Sequence, residues 1–212
     1  MEQYDSYKDS GVEWIGGVPS HWATLKNKYF TLQRKDKSKT GEEDLLSVSE
    51  YHGVIPRRVI RDGEEHLSRS ETFEGYLKVS PGELVSNIML MWKTGLGVSE
   101  FEGLVSPAYS VFRFSSGSPK YFHYLFRTSQ YTSEYRRNST GVIDSRLRLY
   151  DDSFGGLSSH FPPLHEQEQI VEYLDGKTTL IDSLIEKTLQ KVQLLKEKRL
   201  RLIQEVLSSP LI

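Results

Sequence analysis

The 212-residue chain contains no cysteine, which excludes a disulfide framework, a thiolate nucleophile and a zinc site built on cysteine. It has no apolar run of about 18 residues, so no membrane association is expected. Its first residues, Met1-Glu2-Gln3-Tyr4-Asp5, lack the basic patch and apolar stretch of a secretory leader. The expected location is therefore cytoplasmic. Catalytic signatures are missing too. The six histidines (His21, His52, His66, His123, His160 and His165) show no paired metal-ligand spacing, so no metal is expected. Gly95-Leu96-Gly97 is a lone Gly-x-Gly, and no Gly-Lys-Ser/Thr phosphate loop occurs. The acidic residues form no nuclease-like Pro-Asp…Glu-x-Lys arrangement. His160-Phe161-Pro162-Pro163-Leu164 lacks both the leading Asp or Asn and the trailing aromatic of an adenine-methyltransferase loop. These absences describe a binding module with no catalytic residues and no cofactor, not an enzyme.

Hydrophobic residues at 37% are enough for a globular core, so disorder is not expected. The net charge of −2 is unevenly spread. Lys26, Lys28, Arg34, Lys35, Lys37 and Lys39 face only Asp36 within their stretch, and Arg57, Arg58 and Arg61 form a second cluster. Lys120, Arg127, Arg136, Arg137, Arg146 and Arg148 form a third. Any one of these also suits an ordinary solvated surface; three between acidic segments point to a polyanionic partner.

The chain divides near Phe161-Pro162-Pro163. Before it lie short segments broken by turn residues. Leu45–Ser49, Tyr76–Val79, Glu83–Ile88 and Ala108–Phe114 are short, partly alternating and rich in β-branched and aromatic residues, as strands are. Ser80-Pro81-Gly82-Glu83 predicts a turn. Ser118-Pro119 has the cap-then-proline order of a helix start, and a second short helix is expected over Gln130–Arg137. The fold class is α+β: a mixed globular domain over residues 1–161, then one long coiled-coil-like helix over 162–209.

That helix shows in an alternating three-four spacing. Val171, Leu174, Thr178, Ile181, Ile185, Thr188, Val192, Leu195, Arg199, Leu202 and Val206 follow it, and eight of these eleven are apolar. About 40 helical residues span roughly 60 Å. A 160-residue domain has a radius of gyration near 15 Å, too small to cover such a stripe. Gly176 is where the helix would break if it folded back as two.

Two segments resemble a known family. Tyr7-Lys8-Asp9-Ser10-Gly11-Val12-Glu13-Trp14-Ile15-Gly16-Gly17-Val18-Pro19-Ser20-His21-Trp22 looks like the opening of specificity subunits of type I restriction-modification systems. Phe161-Pro162-Pro163-Leu164-His165-Glu166-Gln167-Glu168-Gln169-Ile170 resembles the passage from their target-recognition domain into a spacer helix. Met91–Ser99 and Val105–Tyr109 are similar to motifs recurring inside such domains. Full-length members carry two recognition domains and two spacer helices, whereas this chain has one of each, a half-length form. The resemblance implies binding of double-stranded DNA through loops in the major groove. It implies partner modification (methyltransferase) subunits that bring S-adenosylmethionine, and a restriction subunit where the system has one. It also implies a spacer helix that docks partners. A half-length chain would find its second helix in another copy, pairing as a homodimer through Leu174, Ile181, Ile185, Val192, Leu195, Leu202 and Val206.

Base readout needs donor forks or amides on loops held by a scaffold. Arg136-Arg137-Asn138-Ser139 beside Gly141 is the best candidate, with Arg146 and Arg148 close behind; the same residues also suit a helix end. Arg57 and Arg58 suit bases or phosphates, and Lys35, Lys37 and Lys39 suit phosphates. Trp22 and Trp92 offer flat surfaces to DNA, although large aromatics in strand-rich domains ordinarily belong to the core. The competing reading is a coiled-coil homodimeric assembly module whose globular part binds protein and not DNA.

Overall fold

A computed structural model describes residues 4–57 and 73–208. Arg58, one of the candidate readers, lies outside the described residues. The chain forms two compact units, Met1–Glu168 and Gln169–Ile212. In chain order the first contains β1 (Tyr7–Asp9), β2 (Gly17–Pro19), β3 (Ala23–Lys26), β4 (Thr31–Arg34), β5 (Leu46–Ser49), β6 (Gly53–Pro56), β7 (Leu77–Val79), β8 (Leu84–Asn87), β9 (Leu96–Val98), β10 (Gly103–Val105) and β11 (Tyr109–Phe114). There follow α1 (Pro119–Leu125), α2 (Ser129–Arg137), α3 (Asp151–Gly156), β12 (Ser158–Phe161) and the start of α4 (Leu164–Ser208).

A four-stranded antiparallel sheet of order β4-β11-β8-β9 organises this unit, with the pairs β1-β2, β3-β12, β5-β6 and β7-β10 around it. Because side chains alternate across a strand, the register sorts the core into two halves. Val111 opposite Val85 points to one face, where Leu46, Val48, Val54, Val79 and Val105 join them. Phe112 opposite Leu84 points to the other, against Phe154. Phe114, two residues on, stacks there on Phe122, which stacks in turn on Phe30. The valine half seats the β5-β6 and β7-β10 pairs, and the aromatic half seats α1 and α3. Fully burying each such side chain contributes about 1.5–3 kcal/mol.

The four expected strands are β5, β7, β8 and β11, and the two expected helices are α1 and α2. Ser118 caps α1, its side chain accepting from the Tyr121 N–H, and Pro119 takes the first turn, where its missing N–H costs nothing. At Ser80–Glu83 the chain turns, with Gly82 at φ +84°, but β7 and β8 pair with other strands and do not form a hairpin.

The first turn of α4 belongs to the first unit and is tied into it. Gln167 is fully buried. Its Oε1 accepts from the Ser118 N–H at 2.7 Å and its amide donates to the Pro162 carbonyl at 2.8 Å. Next to it, Glu166 accepts from Trp22 Nε1 at 2.9 Å and lies 2.5 Å from His21 Nε2.

Within the second unit α4 runs on without interruption to Ser208, through Gly176, which adds no break and has open space around it. At 45 residues the helix is about 65 Å long. Ile181, Ile185, Val192, Leu195, Leu202 and Val206 are all exposed, and Leu174 is half-buried.

Candidate nucleic-acid interface

Strands β4 and β8 both run antiparallel to β11, so they run parallel to each other and leave the sheet at the same end. They lie two strand spacings, about 10 Å, apart. From β4 emerge Lys35, Lys37 and Lys39, all exposed and without ion-pair partners among the described residues. Arg34, just before them, is spoken for: its guanidinium meets Glu83 at 2.8 Å and Asp36 at 2.7 Å, and Glu83 also holds Arg113.

From β8 emerges the segment Ile88–Thr94, which turns tightly through Met91–Lys93. Trp92 donates from Nε1 to the Met89 carbonyl at 3.0 Å, so its ring stays half-buried instead of entering the core. Two cations sit on that ring, Lys93 Nζ and Arg136 Cζ, each 4.9 Å from its centre. Such contacts contribute about 0.5–1 kcal/mol at exposed sites. Here they gather charge from two elements over one flat surface.

Arg136 and Arg137 end α2 and are exposed. Arg136 pairs with Asp144 at 2.7 Å, and Arg137 with the buried carboxylate of Glu134 at 2.7 Å. Asn138 and Ser139 close the helix: the Asn138 amide donates to the Glu134 carbonyl at 2.9 Å and the Ser139 hydroxyl to that of Tyr135 at 2.7 Å. The chain then loops out and returns, pinned by two backbone bonds between Thr140 and Arg148. Arg146 is exposed on this loop with no side-chain partner among the described residues. Arg148 donates to the Arg146 carbonyl at 3.2 Å and lies 3.8 Å from Met89 Sδ. The Leu149 N–H bonds the Ile88 carbonyl at 2.9 Å, joining this return strand to the β8 exit.

Lys93, Trp92 and Arg136 thus sit together, Arg148 reaches the same β8 exit through Met89, and Arg137 and Arg146 lie on the adjoining helix end and loop, at the sheet end where Lys35 and Lys37 also leave. Arg57 is not brought there. It stands half-buried after β6, its N–H on the Leu45 carbonyl, at the open end of the β5-β6 hairpin. The turn of that hairpin does reach the site, through Arg127. The Arg127 guanidinium donates to the carbonyls of Thr94 (2.9 Å), Leu96 (2.5 Å), Glu50 (2.8 Å) and Tyr51 (3.1 Å). Thr94, at φ +60°, adds a hydroxyl bond to Glu50 at 2.7 Å. Arg127, grouped by sequence with the third basic cluster, is therefore a clamp between two backbone turns. Nothing in its local sequence separates it from the arginines that face water.

The surface combines guanidinium forks, point-charge ammoniums and an aromatic face. It can neutralise phosphates and present bidentate donors to base edges. Among the described residues no group of three His, Asp or Glu side chains could hold a metal ion, and no helix is long and apolar enough to cross a membrane.

No protein-family model matches the chain, and no curated protein matches it. Solved structures do. The HsdS subunit from Thermoanaerobacter tengcongensis is similar with a TM-score of 0.56 at 14% identity, over 89% of this chain and 49% of that one. A chain from a structure described as showing complex assembly and conformational transition of the type I R-M system is similar with a TM-score of 0.54 at 13% identity, over 94% of this chain and 47% of that one. What is shared is the fold, and the chain spans about half the length of each.

Proposed function

We propose that the chain is a half-length specificity subunit of a type I restriction-modification system. In this reading it carries no catalytic group of its own, binds double-stranded DNA, and directs modification subunits, with a restriction subunit where present, to the bound site. The observation that carries the reading is the fold shared over nine-tenths of this chain with about half of an HsdS subunit: one mixed domain followed by one long helix. Two segments support it independently by their resemblance to that family, Tyr7–Trp22 at the opening and Phe161–Ile170 at the helix entry. The sheet-end surface supplies the DNA contact, with Arg136, Arg137, Arg146 and Arg148 at bases and Lys35, Lys37 and Lys39 at phosphates.

Duplex titration across a salt series, with a modification subunit present, tests the reading. Affinity should fall with salt at a log-log slope near −0.9 per phosphate neutralised, and replacing Lys35, Lys37 and Lys39 together by alanine should flatten the slope by roughly one unit for each contact removed. An unchanged slope in that triple variant removes the lysines from the interface. Absence of duplex binding would leave the exposed apolar stripe of α4 as the main functional feature, and with it the protein-assembly reading.

A further inference from the structure

The loop closed by Thr140 and Arg148 sorts its apolar residues in an unusual way. Leu147 and Leu149 turn inward and are 9% and 1% exposed. Val142 and Ile143, in the same short stretch, turn outward and are 97% and 54% exposed. Neither half of the core accounts for them.

The backbone on either side of the tip is also cross-braced. Besides the two Thr140–Arg148 backbone bonds, the Arg146 N–H bonds the Ile143 carbonyl at 2.8 Å and the Leu147 N–H bonds the Asp144 carbonyl at 3.2 Å. Arg136 holds the Asp144 side chain from the neighbouring helix end. Branching at Cβ leaves Val142 and Ile143 few rotamers. A partner that met this tip would therefore order little that is not ordered already.

Its surroundings say what that partner is. Arg136, Arg137, Arg146 and Arg148 border the tip in the chain; Arg136 and Arg137 pair with Asp144 and Glu134, and Arg146 has no side-chain partner among the described residues. A matching surface must place apolar atoms close to dense negative charge. The major groove of a duplex does so, because the thymine C5-methyl projects into it between two rows of phosphates. We propose that Val142 and Ile143 form an apolar probe for thymine methyl groups in the DNA target. The inference rests on the duplex-binding reading above and adds a specificity element that contributes no hydrogen bond.

The test uses the full chain with its modification subunit and a cognate duplex defined by the methylation motif. Each thymine is replaced in turn by deoxyuracil, which removes only the methyl. Wild type should lose about fourfold in affinity for each contacted methyl removed. The variant carrying Val142→Ser and Ile143→Ser should bind the thymine duplex roughly tenfold more weakly, become indifferent to deoxyuracil, and keep its affinity for random duplex. Thermal melting of the variant checks the fold, and Val142→Ser alone, at a position almost fully in water, serves should the double variant melt early. Indifference of wild type to deoxyuracil at every position overturns the proposal, as does a cognate site without thymine. Equal loss by the variant on cognate and random duplexes, or loss of the modification subunit with DNA binding intact, overturns it as well. Failure of wild type to bind any duplex is a different result: it removes the proposed function itself.

Discussion

Glu166 shows how much one carboxylate in the first turn of α4 is asked to do. Burial works against its charge, but the hydrogen bonds from Trp22, His21 and Tyr4 outweigh that and hold its carboxyl below the ordinary value of 4.5. Burial, helped by the same contact with Glu166, pushes the Tyr4 hydroxyl up to about 12. A depressed carboxyl stabilises the fold fully above its unfolded pKa, and this contribution is lost as pH falls through the folded one. Acid titration of wild type should therefore lose stability below about pH 4.5, and Glu166→Gln should flatten that limb while lowering stability at neutral pH. An acid limb identical in both would show that Glu166 is not its source. For Gln167→Ala the expected cost is about 1–3 kcal/mol for the buried Pro162 carbonyl left unpaired, and less for the part-buried Ser118 N–H, read by chemical denaturation.

Residue types that read bases also finish helices, and this limits what sequence alone reveals at the sheet end. Asn138 and Ser139 suggest base contact by their polarity, yet their side chains satisfy the last carbonyls of α2. Removing Arg137 would strip the partner from buried Glu134, mixing a folding cost with any DNA effect. Arg146 is the cleaner probe because its guanidinium has no partner among the described residues. Arg146→Ala should cost about 1–3 kcal/mol on the cognate site and much less on random duplex if it reads a base. Equal losses on the two would reassign it to a phosphate.

Among the elements, length and context decide what could be foreseen. Strands β5, β7, β8 and β11 carry enough valine and aromatic residues to be recognised, and β11 is the longest strand. The missed strands are β1, β2, β9 and β10, of three residues each, and β3, β4, β6 and β12, of four, all too short or too interrupted by glycine, proline and polar residues to show a period of two. They exist because their partners do. The long helix lies at the other extreme, since many turns repeat the same spacing and outweigh one glycine. Gly176 has a helical backbone and nothing within 4 Å of the methyl that alanine would add. Gly176→Ala should therefore stabilise α4 by about 1 kcal/mol, visible as a later loss of helical signal on heating. A destabilised variant would mean that something in the assembled state packs against that position.

For the molecule as a whole, the open question is what covers the apolar stripe of α4. Ile181, Ile185, Val192, Leu195, Leu202 and Val206 are exposed in the single chain, and large contiguous apolar surfaces are rarely left in water without a partner. The structures it resembles are about twice its length. A second copy of this chain would supply a second domain and a second helix by the shortest route. The stripe keeps its three-four spacing over many turns, as helix pairing requires. If two copies pair antiparallel, a two-fold axis relates them, and their recognition surfaces meet the same half-site in inverted orientation. The methylated target should then be an interrupted palindrome, its central gap set by the helix pair. Sedimentation at micromolar concentration should give a dimer for the chain alone. Charges placed at Ile181, Ile185, Val192 and Leu195 would be buried unpaired in the seam and should yield monomers with folded domains. A wild-type chain that sediments as a monomer counts against the pairing. An asymmetric methylation motif is the more searching result: it would refute symmetric readout even where the dimer forms, because identical surfaces related by a two-fold axis can only read a sequence that repeats itself in inverse.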